Sequence, residues 1–287
     1  MTKTQIARLS TLLLVALSLL TWNGFRANHN TGLALAAGTV TLQGTGATFP
    51  APLYQKWFAE YNKLHSNVQI NYQALGSGAG IKQFQQGLVD FGASDAAMTD
   101  EEMSQVRNGG VILLPMTAGS VALAYNLPGG PSELKLSREA YVGIFLGKIT
   151  NWNDGAIAKA NPDLKFPNQA ITVVHRSDGS GTSYIWTDYL SKVSSDWANA
   201  TGKGTSVKWP VGVGGKGNEG VAGMIRSLPG SLGYIELIYA LQNKINYGSV
   251  RNKSGTFVKA SLESTTAAAQ GVKMPADFRV SITNAMD

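Results

Sequence analysis

Apolar residues recur along the chain in two alternating periods, of two and of about 3.6 residues, giving a repeated order of strand, glycine turn and helix. Residues 39–42 read as a short strand that runs into Gly44-Thr45-Gly46-Ala47-Thr48-Phe49 and then Pro50-Ala51-Pro52. Proline suits the first helical turn, where its missing N–H has no partner to lose. The helix predicted next carries one apolar stripe, Leu53, Trp57, Tyr61 and Leu64. Val68, Ile70 and Tyr72 then alternate as a half-buried strand, and Gly76-Ser77-Gly78-Ala79-Gly80 leads into a helix with Ile81, Phe84 and Leu88 on one face. Residues 89–93 form the next strand and end in Ser94-Asp95; Thr99-Asp100-Glu101-Glu102 has the spacing of a capping box.

Two apolar runs, at 111–114 and 121–125, flank Pro115-Met116-Thr117-Ala118-Gly119-Ser120, a natural crossing point between two lobes with the boundary near residue 116. Helices are predicted at 137–145, 155–160, 236–242 and 261–269, and a strand at 232–235. The five glycines between Gly212 and Gly220 read as a flexible stretch before a helix with Val221, Met224 and Ile225. They do not make a nucleotide-binding loop, because Lys216 is followed by Gly217 rather than Ser or Thr.

The most informative run is Val174-His175-Arg176-Ser177-Asp178-Gly179-Ser180-Gly181-Thr182-Ser183, between the strand at 171–174 and the amphipathic stretch at 184–190. N–H groups at a helix start lack intrahelical partners and carry partial positive charge. Together with the hydroxyls of Ser180, Thr182 and Ser183 and the cation of Arg176, they make a site for a tetrahedral oxyanion. Taken alone, the run also fits an ordinary capped helix whose Arg176 and Asp178 pair on the surface. Thr48-Phe49, Ser77 and Asp95 lie on comparable strand ends, the edge of an open α/β sheet where ligands bind, so convergence of three such loops on one crevice is geometrically reasonable; singly, Ser77 and Asp95 also fit turn and cap residues.

Composition narrows the classes. The 287 residues, 44% hydrophobic and 15% charged, are globular and long enough for two lobes. Lys3 and Arg8 precede a nearly uncharged, leucine-rich run at 9–22, and Ala34-Leu35-Ala36 offers a cleavage signal. The run is shorter than the ~20 residues of a spanning helix, so residues 1–36 read as a cleaved export signal. Its removal, with Lys3, Arg8 and Arg26, lowers the formal charge from +6 to +3. The absence of cysteine excludes disulfides, thiolate metal sites and a lipid-anchor cysteine. A protein free in the periplasm is the expectation. No basic run or stacking motif suggests nucleic acid. His175, Asp178 and Ser180 are too close along one turn to align as a catalytic triad, no serine sits in a Gly-x-Ser-x-Gly elbow, and the three histidines do not cluster; no enzyme, metal site or cofactor is expected.

The run at 44–52, Gly76-Ser77, the run at 89–95, Gly147-Lys148-Ile149, residues 176–183 and residues 208–218 together resemble the periplasmic phosphate-binding proteins of high-affinity phosphate ABC importers, from about residue 40 onward. The resemblance implies a two-lobed α/β fold of the type II periplasmic binding class, each lobe a mixed sheet flanked by helices, with the ligand in the interlobe cleft. The first lobe would span 37–115 and the second 116–287. It implies that Thr48, Ser77, Ser180 and Thr182 give hydroxyls to phosphate, Phe49 and Gly181 give backbone N–H groups, and Arg176 gives charge. Asp95 would accept the proton of monohydrogen phosphate, and Asp178 would pair with Arg176. A carboxylate facing fully ionised sulfate meets a lone pair and no proton, a costly arrangement in a buried site, so Asp95 would select for phosphate. The implied partners are inorganic phosphate and the permease subunits of an ABC transporter, for a monomer that closes by a hinge. The alternatives are a secreted phosphatase or phosphoryl-transfer enzyme, or a binder of the same fold for sulfate, molybdate or an organic phosphate. In the family the chain returns to the first lobe at its end; here that return segment is expected to be missing after Asp287. The glycine run at 76–80 also lacks the second serine frequent in the family.

Overall fold

The computed structural model describes residues 38–107 and 110–284; the predicted export signal at 1–36 lies outside the described residues. The first lobe is organised on three parallel strands. β1 (Val40–Gly46) pairs with β2 (Val68–Gln73) on one side and with β3 (Phe91–Ala93) on the other, in the order β2-β1-β3. Parallel neighbours need a crossover, supplied by α1 (Ala51–Leu64) between β1 and β2 and by α2 (Ser77–Gln85) between β2 and β3. α3 (Asp100–Ser104) follows, with Thr99 and Glu102 forming the reciprocal capping box that their spacing predicts.

Three sequence expectations fail in this lobe. The stripe Leu53, Trp57, Tyr61 and Leu64 faces outward, with Leu64 81% exposed. The packed face of α1 carries Tyr54 and Phe58, whose rings meet Tyr72 of β2 edge-on at 5.4 and 6.4 Å, while Phe58 also meets Phe91 of β3 at 6.1 Å. Interlocking aromatics, not the count of aliphatic positions, orient the helix. Leu88 likewise lies beyond the end of α2 and is exposed. The apolar run at 111–114 forms no strand, and Ile112 and Leu114 are exposed.

The second lobe holds β4 (Val121–Asn126), β5 (Lys135–Leu136), α4 (Arg138–Phe145), α5 (Gly155–Ala158), β6 (Thr172–Arg176), α6 (Gly181–Val193), α7 (Ser195–Ala200), β7 (Val213–Gly215), α8 (Gly217–Ser227), β8 (Ser231–Glu236), α9 (Leu237–Gln242), β9 (Asn246–Tyr247), β10 (Ser249–Arg251), β11 (Phe257–Lys259) and α10 (Leu262–Gln270). Its main sheet runs β7-β6-β8-β4-β9, with β6 parallel to β7 and β8, and β4 antiparallel to β8 and β9; β11-β10-β5 form a small second sheet. The stretch predicted as flexible before a helix is thus strand β7 followed at once by α8. Gly217 opens α8 at φ +71, a conformation open to glycine that hides the helix start from a reading of propensities.

Side-chain alternation places Leu123, Tyr125, Val173, Leu232 and Tyr234 in one core with Phe145, Trp152, Leu190 and Trp197. On the other face Ala124, Val174 and Ile235 pack with Val221, Ile225 and Tyr239. Helices cover both faces, as a sheet with parallel strands requires. From Val40 onward the chain packs as one compact unit.

Candidate functional site

The carboxyl ends of β1, β3 and β6 and the starts of α1, α2, α6 and α8 bring the predicted residues to one place. In the second lobe, β6 alternates Val173 and Val174 into opposite cores, stacks His175 on Trp209 at 4.9 Å, and ends on Arg176, which is 3% exposed. The Arg176 guanidinium donates from Nε to Asp178 Oδ1 at 2.8 Å and from Nη2 to Asp178 Oδ2 at 2.5 Å; Nη1 donates to Thr182 Oγ1 at 3.2 Å. Guanidinium has five N–H bonds, so this pattern holds the fork rigid and leaves further donors on the two Nη atoms. Burial raises the pKa of Asp178, but the bonds and charge of Arg176 and the Gly217 N–H outweigh it and hold the carboxyl below its ordinary range. The pair is a permanent ion pair in a partly dry setting.

Ser180 is fully buried and caps α6, its hydroxyl oxygen accepting the Ser183 N–H at 3.0 Å. Gly181 is the first residue of α6, where an N–H has no intrahelical partner. Ser183 departs from the sequence reading: its hydroxyl bonds the Tyr234 hydroxyl at 2.6 Å, which also receives the Arg176 backbone N–H at 3.0 Å. It braces the loop instead of facing the cleft.

In the first lobe, Thr48 and Phe49 are buried just before α1, and Ser77 is fully buried at the first position of α2. The Ser77 hydroxyl accepts the Asp95 N–H at 3.1 Å and faces Asp95 Oδ2 at 3.4 Å. Burial pushes the Asp95 carboxyl up to about 7, against the opposing pull of Arg176 and Ser77. Asp95 therefore sits close enough to Arg176 to feel its charge, yet bonds no cation among the described residues. The lobes meet directly here. A Cβ at Gly181 would collide with the Ser77 hydroxyl and the Asp95 carboxylate, and one at Gly76, whose φ is +100, would collide with Asp178 and the Gly179 carbonyl. The Gly78 N–H donates across to the Gly179 carbonyl at 2.9 Å.

Two further residues belong to this place without having been singled out as ligands in the sequence. Asn218, fully buried at the start of α8, bonds Thr48 of the first lobe and Thr182 of the second. Glu236, read only as a helix start, caps α9 through Ile238 N–H at 2.7 Å; burial pushes its carboxyl up to about 7, with Asp95 adding to the rise. Only the place of Asn218 at the end of the 208–218 run hinted at its role, and nothing local marked Glu236. Among the described residues no cluster of three His, Asp or Glu side chains is arranged to hold a metal, and no helix is long and apolar enough to cross a membrane.

The family model of the PBP superfamily domain matches residues 33–285. A phosphate-binding protein PstS of Xylella fastidiosa (strain 9a5c) is 47% identical over 250 residues, which cover 86% of this chain and 68% of that protein. One from Methanocaldococcus jannaschii is 42% identical over 245 residues, 82% of this chain and 63% of that protein. In structure, the high affinity periplasmic phosphate-binding protein PfluDING, bound with phosphate, superposes with a TM-score of 0.65 at 23% identity, over 83% of this chain and 69% of that one. The phosphate-binding protein from Stenotrophomonas maltophilia gives a TM-score of 0.56 at 23% identity, over 74% and 65%. With a two-lobed α/β fold and these relatives, the chain belongs to the PBP superfamily and, within it, to the family of the phosphate-binding proteins PstS.

Proposed function

We propose that this protein binds inorganic phosphate in the cleft between its lobes, without chemical turnover, and delivers it to the permease of an ABC transporter. The observation that carries the reading is the meeting of a buried, Asp178-clamped Arg176 with hydroxyls and helix-start N–H groups from both lobes, and with an acceptor, Asp95, that bonds no cation among the described residues. Thr48, Ser77, Ser180 and Thr182 give hydroxyls, Phe49 and Gly181 give N–H groups, and Arg176 gives two-pronged charge. Asp95 accepts the ligand's remaining proton. The family is one of binding proteins rather than enzymes.

The lobes are taken as 37–115 and 116–287, closing on the ligand by a hinge. Residues 1–36 act as an export signal, and the mature protein works in the periplasm. The receptor is taken as a monomer. Calorimetry on the mature protein tests the reading: phosphate is expected to bind at one site, sulfate far more weakly, and p-nitrophenyl phosphate to remain unhydrolysed. Absence of a phosphate heat, or release of nitrophenol, overturns it.

A further inference from the structure

The two threonines of the cleft share a neighbour that controls what their hydroxyls can do. Asn218 is buried completely, and the Glu236 N–H donates to its Oδ1 at 3.0 Å. That bond settles the orientation of the amide, because only the oxygen end can accept. Nδ2 then donates twice, to Thr48 Oγ1 at 2.8 Å and to Thr182 Oγ1 at 3.1 Å. The Asn218 backbone N–H adds a second bond to Thr48 Oγ1 at 3.2 Å, and Arg176 Nη1 adds a second to Thr182 Oγ1 at 3.2 Å.

Each threonine oxygen thus receives two donors. A hydroxyl has one proton and two lone pairs; with both pairs engaged, it has only its proton left to offer. None of the three donor groups around these oxygens accepts a hydrogen bond, so the protons have to point elsewhere. Ser77 differs, since its hydroxyl faces the Asp95 carboxylate and can turn toward it. Ser180 differs too, accepting the single Ser183 N–H.

Resting on the phosphate reading above, we propose that Asn218 is a positioning residue that makes Thr48 and Thr182 obligate donors toward the cleft, one from each lobe. A tetrahedral oxyanion presents lone pairs on nearly all its surface, and hydroxyls already aimed need no reorientation when it arrives. Because a single amide group serves both threonines, it also sets donor polarity on both lobes together.

A double-mutant cycle read by phosphate calorimetry tests this, with the melting temperature of the phosphate-free protein recorded in parallel. Asn218→Ala is expected to weaken phosphate binding roughly 10- to 100-fold in the wild-type background, and under ~3-fold when Thr48→Val and Thr182→Val are already present, the size of coupling seen between groups in one network. Equal losses in both backgrounds, or no loss in the wild type, overturn the proposal, because a merely structural role is blind to those hydroxyls. Asn218→Asp gives a second test that holds if the alanine variant fails to fold. Its carboxylate draws the threonine protons inward, so its affinity relative to wild type is expected to improve as pH falls and the carboxylate takes up a proton. A ratio flat with pH counts against the idea. If the wild-type protein itself gives no phosphate heat, the binding reading fails, and the cycle distinguishes that from failure of the Asn218 proposal.

Discussion

The two lobes bring their polar groups to the cleft in different ways. The second lobe offers a braced arrangement: Arg176 is held by Asp178, Thr182 and the Tyr234 hydroxyl, and Tyr234 in turn bonds Ser183. Beneath it lie two cores on either face of a five-stranded sheet. The first lobe contributes from three short parallel strands over a small core of Ala47, Phe49, Tyr54 and Ala93. Its distinctive group is Asp95, whose carboxyl bonds no cation among the described residues. Fixed charge thus belongs to the lobe with the larger scaffold, and the group proposed to discriminate between oxyanions to the lobe with the smaller one. Such a division makes physical sense, because misplacing a buried cation costs more than misplacing a single acceptor.

The strongest way to break this contrast is Arg176→Ala. It strips the ligand's charge partner and leaves Asp178 partly buried without its cation, so phosphate affinity is expected to fall on the order of a thousandfold, about 4 kcal/mol. Calorimetry reads the loss, and the melting temperature is expected to fall with it. A variant that kept wild-type affinity would move the charge role to another residue.

Asp95→Asn tests the other lobe. Selectivity for phosphate over sulfate is expected to drop by roughly 10- to 100-fold, the size of a hydrogen bond made to one ligand and denied to the other. The wild-type ratio should follow pH in a defined direction. With the Asp95 carboxyl pushed up to about 7, discrimination is expected to decline as pH falls and the carboxyl takes up a proton that it could donate to sulfate. In the phosphate-free protein the raised pKa means that the folded state binds more protons than the unfolded chain between about 4 and about 7, so stability declines as pH rises through that window. Glu236 acts in the same direction, since its carboxyl is also pushed up to about 7. Competition binding and thermal melts at pH 5.5 and 8 read both effects; Asp95→Asn is expected to flatten the first and, with Glu236 still buried, to reduce the second.

The smallest effect sharpens the contrast within the first lobe. Leu64→Gln, on the outward stripe of α1, is expected to shift stability by no more than about 0.5 kcal/mol, whereas Tyr54→Ala, on the packed face, is expected to cost roughly 3 kcal/mol. Urea titration measures both.

The cleft was legible in the sequence where a local rule carried it. A strand end, a glycine turn and a cap placed Arg176, Ser180 and Gly181 together, and proline at 50 marked the start of α1 beside Thr48. The resemblance supplied what spacing alone leaves open, including a role for Asp95. Failures came where the deciding contact lies far along the chain. The facing of α1 depends on Tyr72 and Phe91, neither within a helical turn of it. Asn218 acts through Thr48, 170 residues away, and Thr182, 36 away, which no periodicity can register. Glu236 reads as the first residue of a helix and in fact caps it; its burial beside Asp95 follows from the register of β8 in the sheet.

The lobes approach closely at Gly76, Gly78, Gly179 and Gly181, with Gly181 against the Ser77 and Asp95 side chains, Gly76 against Asp178, and the Gly78 to Gly179 hydrogen bond between them. The fit there depends on methyl groups that are absent. Alanine scanning, which elsewhere deletes contacts, inserts a spacer at these positions. Gly181→Ala is therefore a gain of matter at the tightest point of the jaw, and belongs with wedges rather than with truncations when a mutational map of this protein is interpreted.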